Sequence, residues 1–129
     1  MKRNPALQPL SREHHSALVL AKACERAVQS GDAAMLSQAR QRAIQAYTNE
    51  LDAHFSIEEQ SLLPLLKSPE TQALVQRTLA EHRQLRGLLM LIALQQSDAA
   101  ALNNFGKCLS AHVRFEEREL FPAIEELLN

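Results

Sequence analysis

Apolar residues recur every three or four positions along most of the chain, which is the spacing of helices that bury one face. No stretch shows the strict alternation of apolar and polar residues that is typical of a half-buried strand. Helix-forming Ala, Leu, Gln, Glu and Arg dominate, and the 129 residues contain three glycines. The pattern therefore predicts four helices, at about 10–30, 33–66, 69–96 and 98–127.

Short polar pairs separate these four stretches. These pairs are Gly31-Asp32, Ser68-Pro69 and Ser97-Asp98. They contain residues that are typical of helix ends, of N-caps and of the first helical turn. Because short links favour antiparallel neighbours, the prediction is an all-α, antiparallel up-down-up-down four-helix bundle. At this length, residues 1–129 are expected to form one domain.

One histidine lies on the apolar face of each predicted helix: His14, His54, His82 and His112. Residues equally distant from the turn of an antiparallel hairpin lie at the same height. The midpoints between the last three histidines, residues 68 and 97, coincide with the predicted turns. The midpoint between the first two is 34, slightly beyond Gly31-Asp32, so His14 is either offset by about a turn or follows a longer link. The sequence predicts a layer of four histidines across the bundle.

A repeated motif adds two acids to this layer. HFSIEEQSLLP at 54–64 returns as HVRFEERELFP at 112–122, so Glu58 and Glu116 each follow a histidine by four residues on the same helix face. The repeat also places Pro64 and Pro122 late in their helices, where each is expected to kink or end the regular helix.

Buried carboxylates and imidazoles without partners are energetically costly, so a positive group is expected among them. Imidazole and carboxylate together suit Fe, Mn, Zn or Cu, and six ligands at one height suit two ions with bridging carboxylates. A single histidine of this kind is more often an ordinary core or surface residue, and the metal interpretation depends on the whole pattern. Nearby residues leave alternatives open. Glu59 and Glu117 are either solvated or outer partners of the ligands, and Glu117 is also a further candidate ligand. Tyr47 either packs in the core or is a ligand, and His15 lies at the polar edge of the apolar face.

Charge and composition exclude several functions. The chain carries 14 basic and 15 acidic residues in no long like-charged block, which argues against nucleic-acid or membrane-surface binding. The N-terminal stretch has no apolar run suited to a signal peptide or membrane span, so a cytoplasmic location is expected. Cys24 and Cys108 are too few for a disulfide framework and are expected to be reduced and packed.

Taken together, the motifs SREHHSAL, HFSIEEQSLLP, EHRQL and HVRFEERELFP resemble those of hemerythrin-like, or HHE cation-binding, domains over nearly the whole chain. The resemblance implies a four-helix bundle and a non-haem di-iron pair, oxo- or hydroxo-bridged, with Mn or Zn as substitutes. The bridging ligands would be the two glutamates. The full ligand set that it implies is His14, His54, Glu58, His82, His112 and Glu116.

The chain departs from the oxygen-carrying hemerythrins at Arg86, where those proteins have a further histidine. An open or water-filled iron position is then expected, which favours chemistry or sensing over reversible oxygen carriage. The main hypothesis is a di-iron protein that binds or reduces O₂, peroxide or nitric oxide. The alternatives are a non-enzymatic iron or oxygen sensing module that signals to a partner protein, which the sequence does not identify, and a metal-free structural bundle.

Overall fold

The computed structural model describes residues 3–94 and 99–128, and this part of the chain contains four helices and no strand. The predicted all-α class is therefore confirmed, while the up-down-up-down order stays a prediction. The helices are numbered in chain order. They are α1 (Gln8–Ser30), α2 (33–65), α3 (Gln72–Ala93) and α4 (99–128).

The predicted helix ends agree with the structure at the first link. Gly31 adopts a left-handed conformation with φ 65°, and the Asp32 side chain caps α2 by accepting a hydrogen bond from the Met35 N–H at 3.0 Å. At the other end of the bundle a 3₁₀ turn, Pro69–Thr71, leads into α3. The α3 helix ends at Ala93, before the predicted residue 96, and the predicted turn at Ser97-Asp98 lies outside the described residues.

Helices α2 and α4 contain π-helical turns, in which a backbone N–H bonds to the carbonyl five residues earlier. Two of these turns begin at the matched glutamates of the repeated motif, where Leu63 donates to Glu58 and Phe121 donates to Glu116. The segments of α2 are Ala33–Ala46 (α), Tyr47–Leu51 (π), Asp52–Ile57 (α), Glu58–Leu62 (π) and Leu63–Leu65 (3₁₀). Those of α4 are Ala99–Phe115 (α), Glu116–Leu120 (π) and Phe121–Leu128 (α).

The two prolines that follow these π turns behave differently. Pro64 lies in the last 3₁₀ turn of α2, and the chain leaves the helix at Leu66, so the prediction that it ends the helix is confirmed. Pro122 does not end the helix, because α4 continues to Leu128, and a kink there stays a prediction. Pro122 is the second residue of the α-helical segment that follows the π turn.

The four helices form a closed ring of neighbours, since α1 and α3 each pack against both α2 and α4. Two apolar clusters fill the interior. On every helix the histidine lies between residues of one cluster and residues of the other, so a polar layer separates them. The 3-and-4 spacing of apolar residues predicts that Leu65 lies on the buried face of α2, but it is 40% exposed. The prediction is wrong because the π turn at Glu58 rotates the residues that follow it, so that Leu63 and Leu66 are buried instead.

Two glycines of the described helices have opposite surroundings and provide a matched test of packing. A Cβ at Gly106 would lie 2.8 Å from the Ala21 carbonyl oxygen, whereas a Cβ at Gly87 would meet nothing within 4 Å. Gly106→Ala is expected to destabilise the fold by about 1–3 kcal/mol through overpacking of α1 against α4. Gly87→Ala is expected to stabilise it by about 0.5–1 kcal/mol through helix propensity. Urea unfolding measures both, and equal effects at the two positions would contradict the proposed tight helix contact.

Candidate metal centre

The structure brings all four predicted histidines into one buried layer. Each is at most 4% exposed. The rings of His14 and His54 have centroids 4.8 Å apart, and those of His82 and His112 are 4.9 Å apart. His14 therefore lies beside His54. The offset that the sequence allowed between these two histidines does not remove His14 from the layer.

Glu58 and Glu116 are fully buried in the centre of this layer. Together with the histidines they form two groups whose candidate ligand atoms all lie within 4.8 Å of one another. Both glutamates belong to both groups. One group, called the His14–His54 position, consists of His14, His54, Glu58 and Glu116. The other, called the His82–His112 position, consists of Glu58, His82, His112 and Glu116.

Several polar atoms at the centre lack hydrogen-bond partners. His82 Nε2 lies 2.9 Å from Glu58 Oε1, and His112 Nε2 lies 2.9 Å from Glu116 Oε2, yet neither pair forms a hydrogen bond. Both oxygens of Glu58 are likewise without partners. Buried polar atoms are almost always hydrogen-bonded, so unpaired nitrogens and carboxylate oxygens that converge in one place fit a bound cation. The donor set, imidazole with carboxylate, is one that binds transition metals.

The pKa values show how protons balance the charges of the metal-free layer. Burial and the adjacent Glu116 raise the pKa of Glu58 well above its ordinary value. Burial also raises the pKa of Glu116, but His112 and the other neighbours in the layer, Glu58 and His14, together outweigh it and hold that pKa well below its ordinary value. In turn, burial lowers the pKa of His112, while Glu116 and other carboxylates overcome this effect and raise that pKa to about 10. The layer therefore carries protons at neutral pH where a cation would otherwise supply positive charge.

A second set of glutamates surrounds the layer. Each of the four histidines in the layer turns Nε2 inward and hydrogen-bonds through Nδ1 to a glutamate of a neighbouring helix. The pairs are His14 with Glu117 (2.6 Å), His54 with Glu13 (2.9 Å), His82 with Glu59 (2.6 Å) and His112 with Glu81 (2.7 Å). Because an ionised carboxylate only accepts hydrogen bonds, each Nδ1 is the donor, which leaves Nε2 available as the ligand atom.

These four outer glutamates close a ring around the bundle. Each one accepts a hydrogen bond from the histidine of the next helix: Glu13 of α1 from α2, Glu59 of α2 from α3, Glu81 of α3 from α4, and Glu117 of α4 from α1. Sequence reasoning considered Glu59 and Glu117 as possible outer partners but missed Glu13 and Glu81. The available signal was that each directly precedes a site histidine and is rotated about 100° from it, toward the adjacent helix.

Arginines support three of the outer glutamates. Arg86 donates to Glu59 at 2.8 Å, Arg77 to Glu81 at 2.8 Å, and Arg3 to Glu117 at 2.9 Å. Arg86 stands at the position where the sequence departs from the oxygen carriers, and it bonds to Glu59, the outer partner of His82. It also donates to the Tyr47 hydroxyl at 3.3 Å, and that hydroxyl donates to Asp52 at 3.0 Å. Tyr47 thus belongs to the outer network on this side.

Aromatic rings shield the layer on both sides. Phe55 stacks on His82 with ring centroids 4.2 Å apart, and Phe121 stacks on His14 at 5.1 Å. Both phenylalanines are buried and belong to different apolar clusters. They restrict the imidazole rings to one orientation and exclude bulk water, which strengthens the electrostatic interactions inside the layer.

The remaining candidates lie outside the two groups. His15 is exposed, as expected from its place at the edge of the helix face. Cys24 is buried and Cys108 half-buried, and both are free thiols. Burial raises the pKa of Cys24 to about 11, so it is protonated and unreactive at neutral pH.

Buried histidines and shared glutamates of this kind define a metal-binding helical protein. The sequence model of the family described as "Hemerythrin HHE cation binding domain" matches residues 6–124, and the chain belongs to that family. Comparisons with curated proteins and with solved structures each found no match. No helix among the described residues has both the length and the apolar composition needed to span a membrane.

Proposed function

We propose that the chain is a non-haem di-iron protein that binds or reacts with O₂, peroxide or nitric oxide. The observation that carries this proposal is the sharing of Glu58 and Glu116 by two groups of histidines, because shared carboxylates are suited to bridging a pair of ions. Iron is favoured over other metals by membership of the family together with the donor set. The proposal treats residues 1–129 as one up-down-up-down bundle.

In this proposal the six central side chains are the ligands: His14, His54, Glu58, His82, His112 and Glu116. When bound, the iron pair would supply electrons and an open position for a small ligand. The two carboxylates would offset part of the positive charge of both ions. The four outer glutamates hold the Nδ1–H of each ligand histidine, which fixes the tautomer and increases the basicity of Nε2.

Arg86 supports the expectation of an open coordination position. Its side chain is directed to Glu59, Tyr47 and Asp52, so it supplies no nitrogen ligand in place of a histidine. A metal with two imidazoles and two shared carboxylates has fewer protein ligands than an octahedral ion requires. This shortage is the feature by which a metal site accepts a small molecule.

The direct test is an anaerobic reconstitution with two equivalents of Fe²⁺, followed by exposure to O₂, peroxide and nitric oxide in separate samples. We expect new ligand-to-iron charge-transfer absorption and consumption of at least one of the three reagents. A protein that binds iron but remains spectroscopically unchanged with all three would contradict the reactivity. A protein that binds no iron would contradict the whole proposal.

A second candidate function, an iron- or oxygen-sensing module, is favoured by one observation. Glu58 and Glu116 each begin a π-helical turn, so a change of metal occupancy acts at an irregular part of the helix backbone. Limited proteolysis distinguishes this candidate. Iron-dependent cleavage within or after these turns would support it, and identical cleavage rates with and without iron would contradict it.

Metal affinity is expected to increase with pH. Burial lowers the pKa of His54 and of His82, but the surrounding carboxylates, Glu116 above all, outweigh it and raise both pKa values. An incoming ion must displace these protons, as well as the proton that the raised pKa places on Glu58. The apparent dissociation constant should fall about tenfold per pH unit for each proton displaced. Chelator competition between pH 6 and 8 measures this slope, and a flat profile would contradict the displacement.

A further inference from the structure

The two metal positions contain the same kinds of ligand. Each has two histidines, and both share Glu58 and Glu116. Ligand type therefore gives no reason for one position to bind an ion more tightly than the other. Any difference in affinity must come from the surroundings of the histidines, and these surroundings differ in three respects.

The first difference lies in the ligand nitrogens themselves. At the His82–His112 position each Nε2 atom lies 2.9 Å from a carboxylate oxygen, in an ion pair that lacks hydrogen-bond geometry. At the His14–His54 position, His14 Nε2 forms a hydrogen bond with Glu116 Oε1 at 2.7 Å. An ion that enters beside His14 has to replace an aligned hydrogen bond, whereas an ion at the other position replaces contacts that lack this alignment.

The second difference lies in the support of the outer glutamates. Both outer partners at the His82–His112 position, Glu59 and Glu81, are held by arginines. At the His14–His54 position, Arg3 holds Glu117, but Glu13 has no arginine or lysine partner within residues 3–94 and 99–128. A carboxylate fixed by a second bond keeps the imidazole oriented, and such outer contacts contribute strongly to metal affinity.

The third difference is solvent access. A cavity of about 190 Å³ lies between α1 and α2 and is lined by Glu13, the outer partner of His54. The Glu13 side chain is 33% exposed, and Glu50 and Arg42 line the same cavity. Water and small ions in this cavity therefore reach the outer side of the pair formed by His54 and Glu13.

We infer that the two positions fill in a fixed order, with the His82–His112 position first and more tightly, and the His14–His54 position second. Exchange at the second position takes place beside Glu13, through the cavity between α1 and α2. The inference rests on the proposed metal centre and adds a functional difference between its two halves. Loss of an outer partner changes metal affinity by about 10–100-fold, and because both positions keep these partners, we expect the two dissociation constants to differ by about tenfold, the lower end of that range.

The test is an anaerobic titration of the metal-free protein with Co²⁺, followed by ¹H NMR of the exchangeable ring protons of the four histidines. The first equivalent is expected to give the ring protons of His82 and His112 the large through-bond shifts of Co²⁺-bound imidazoles, and the second equivalent to give such shifts to those of His14 and His54. Through-bond shifts of all four histidines at the first equivalent, or the reverse order, would overturn the inference but leave the metal centre intact. Absence of any Co²⁺ binding would overturn both.

Two outer glutamates provide a matched pair of variants. Glu81→Gln is expected to lower the affinity for the first equivalent of Co²⁺ about tenfold. Glu13→Gln is expected to lower only the affinity for the second equivalent. Weakening of the first equivalent by Glu13→Gln would overturn the inference. Circular dichroism checks that each variant is folded. If Glu81→Gln does not fold, the order in which the two positions of the unmodified protein bind Co²⁺ tests the inference by itself.

Discussion

Glu116→Gln is expected to abolish stoichiometric metal binding. The Glu116 carboxylate offers an oxygen to both metal positions and is fully buried at their centre. Glutamine has nearly the same shape but carries no negative charge, and the loss of charge weakens both positions at once. We expect the metal content, measured by elemental analysis after reconstitution and desalting, to fall from two ions per chain to none.

Glu126→Gln is the control for this substitution. Glu126 lies on the same helix, is exposed and belongs to neither group of ligand atoms. The control variant should keep both ions. Retention of two ions by Glu116→Gln would show that the carboxylate is not a shared ligand and would contradict the proposed centre.

Metal removal is expected to produce the largest change in thermal stability. In the metal-free protein, buried ionisable groups are compensated by protons alone, and the ions bind the folded chain in preference to the unfolded one. One ion present at 100 times its dissociation constant stabilises the fold by about 2.7 kcal/mol. For a chain of this size this corresponds to a rise in Tm of about 10 °C.

Differential scanning calorimetry with and without metal measures this shift. The Glu116→Gln protein should show no response to added metal, because the ligand set is broken. Equal Tm values for the metal-loaded and metal-free forms of the unmodified protein would indicate that the ions contribute nothing to the fold.

The inner layer could be predicted from sequence because it depends on two simple periodicities. The 3-and-4 spacing placed one histidine on each apolar face, and the heights measured from the turns brought them together. Four residues between His54 and Glu58, and between His112 and Glu116, then put each carboxylate on the same face. The structure gathers these six residues into two groups, although their action as ligands stays a proposal.

The outer contacts could not be predicted in the same way. A glutamate rotated off the apolar face reaches a neighbouring histidine only if the two helices have the right rotation and spacing, and the sequence pattern fixes neither. The bond between Arg3 and Glu117 joins residues 114 positions apart. The exposure of Leu65 depends on a π turn, which no local propensity signals.

The ring of outer glutamates has a consequence for local unfolding. Each helix holds its own histidine and the carboxylate that orients the histidine of the next helix. A helix that opens at this level releases two of these contacts and so loosens both of its neighbours. Amide hydrogens close to the histidine layer should therefore exchange with solvent only when all four helices open together, as one cooperative unit, while those at the helix ends exchange by fraying.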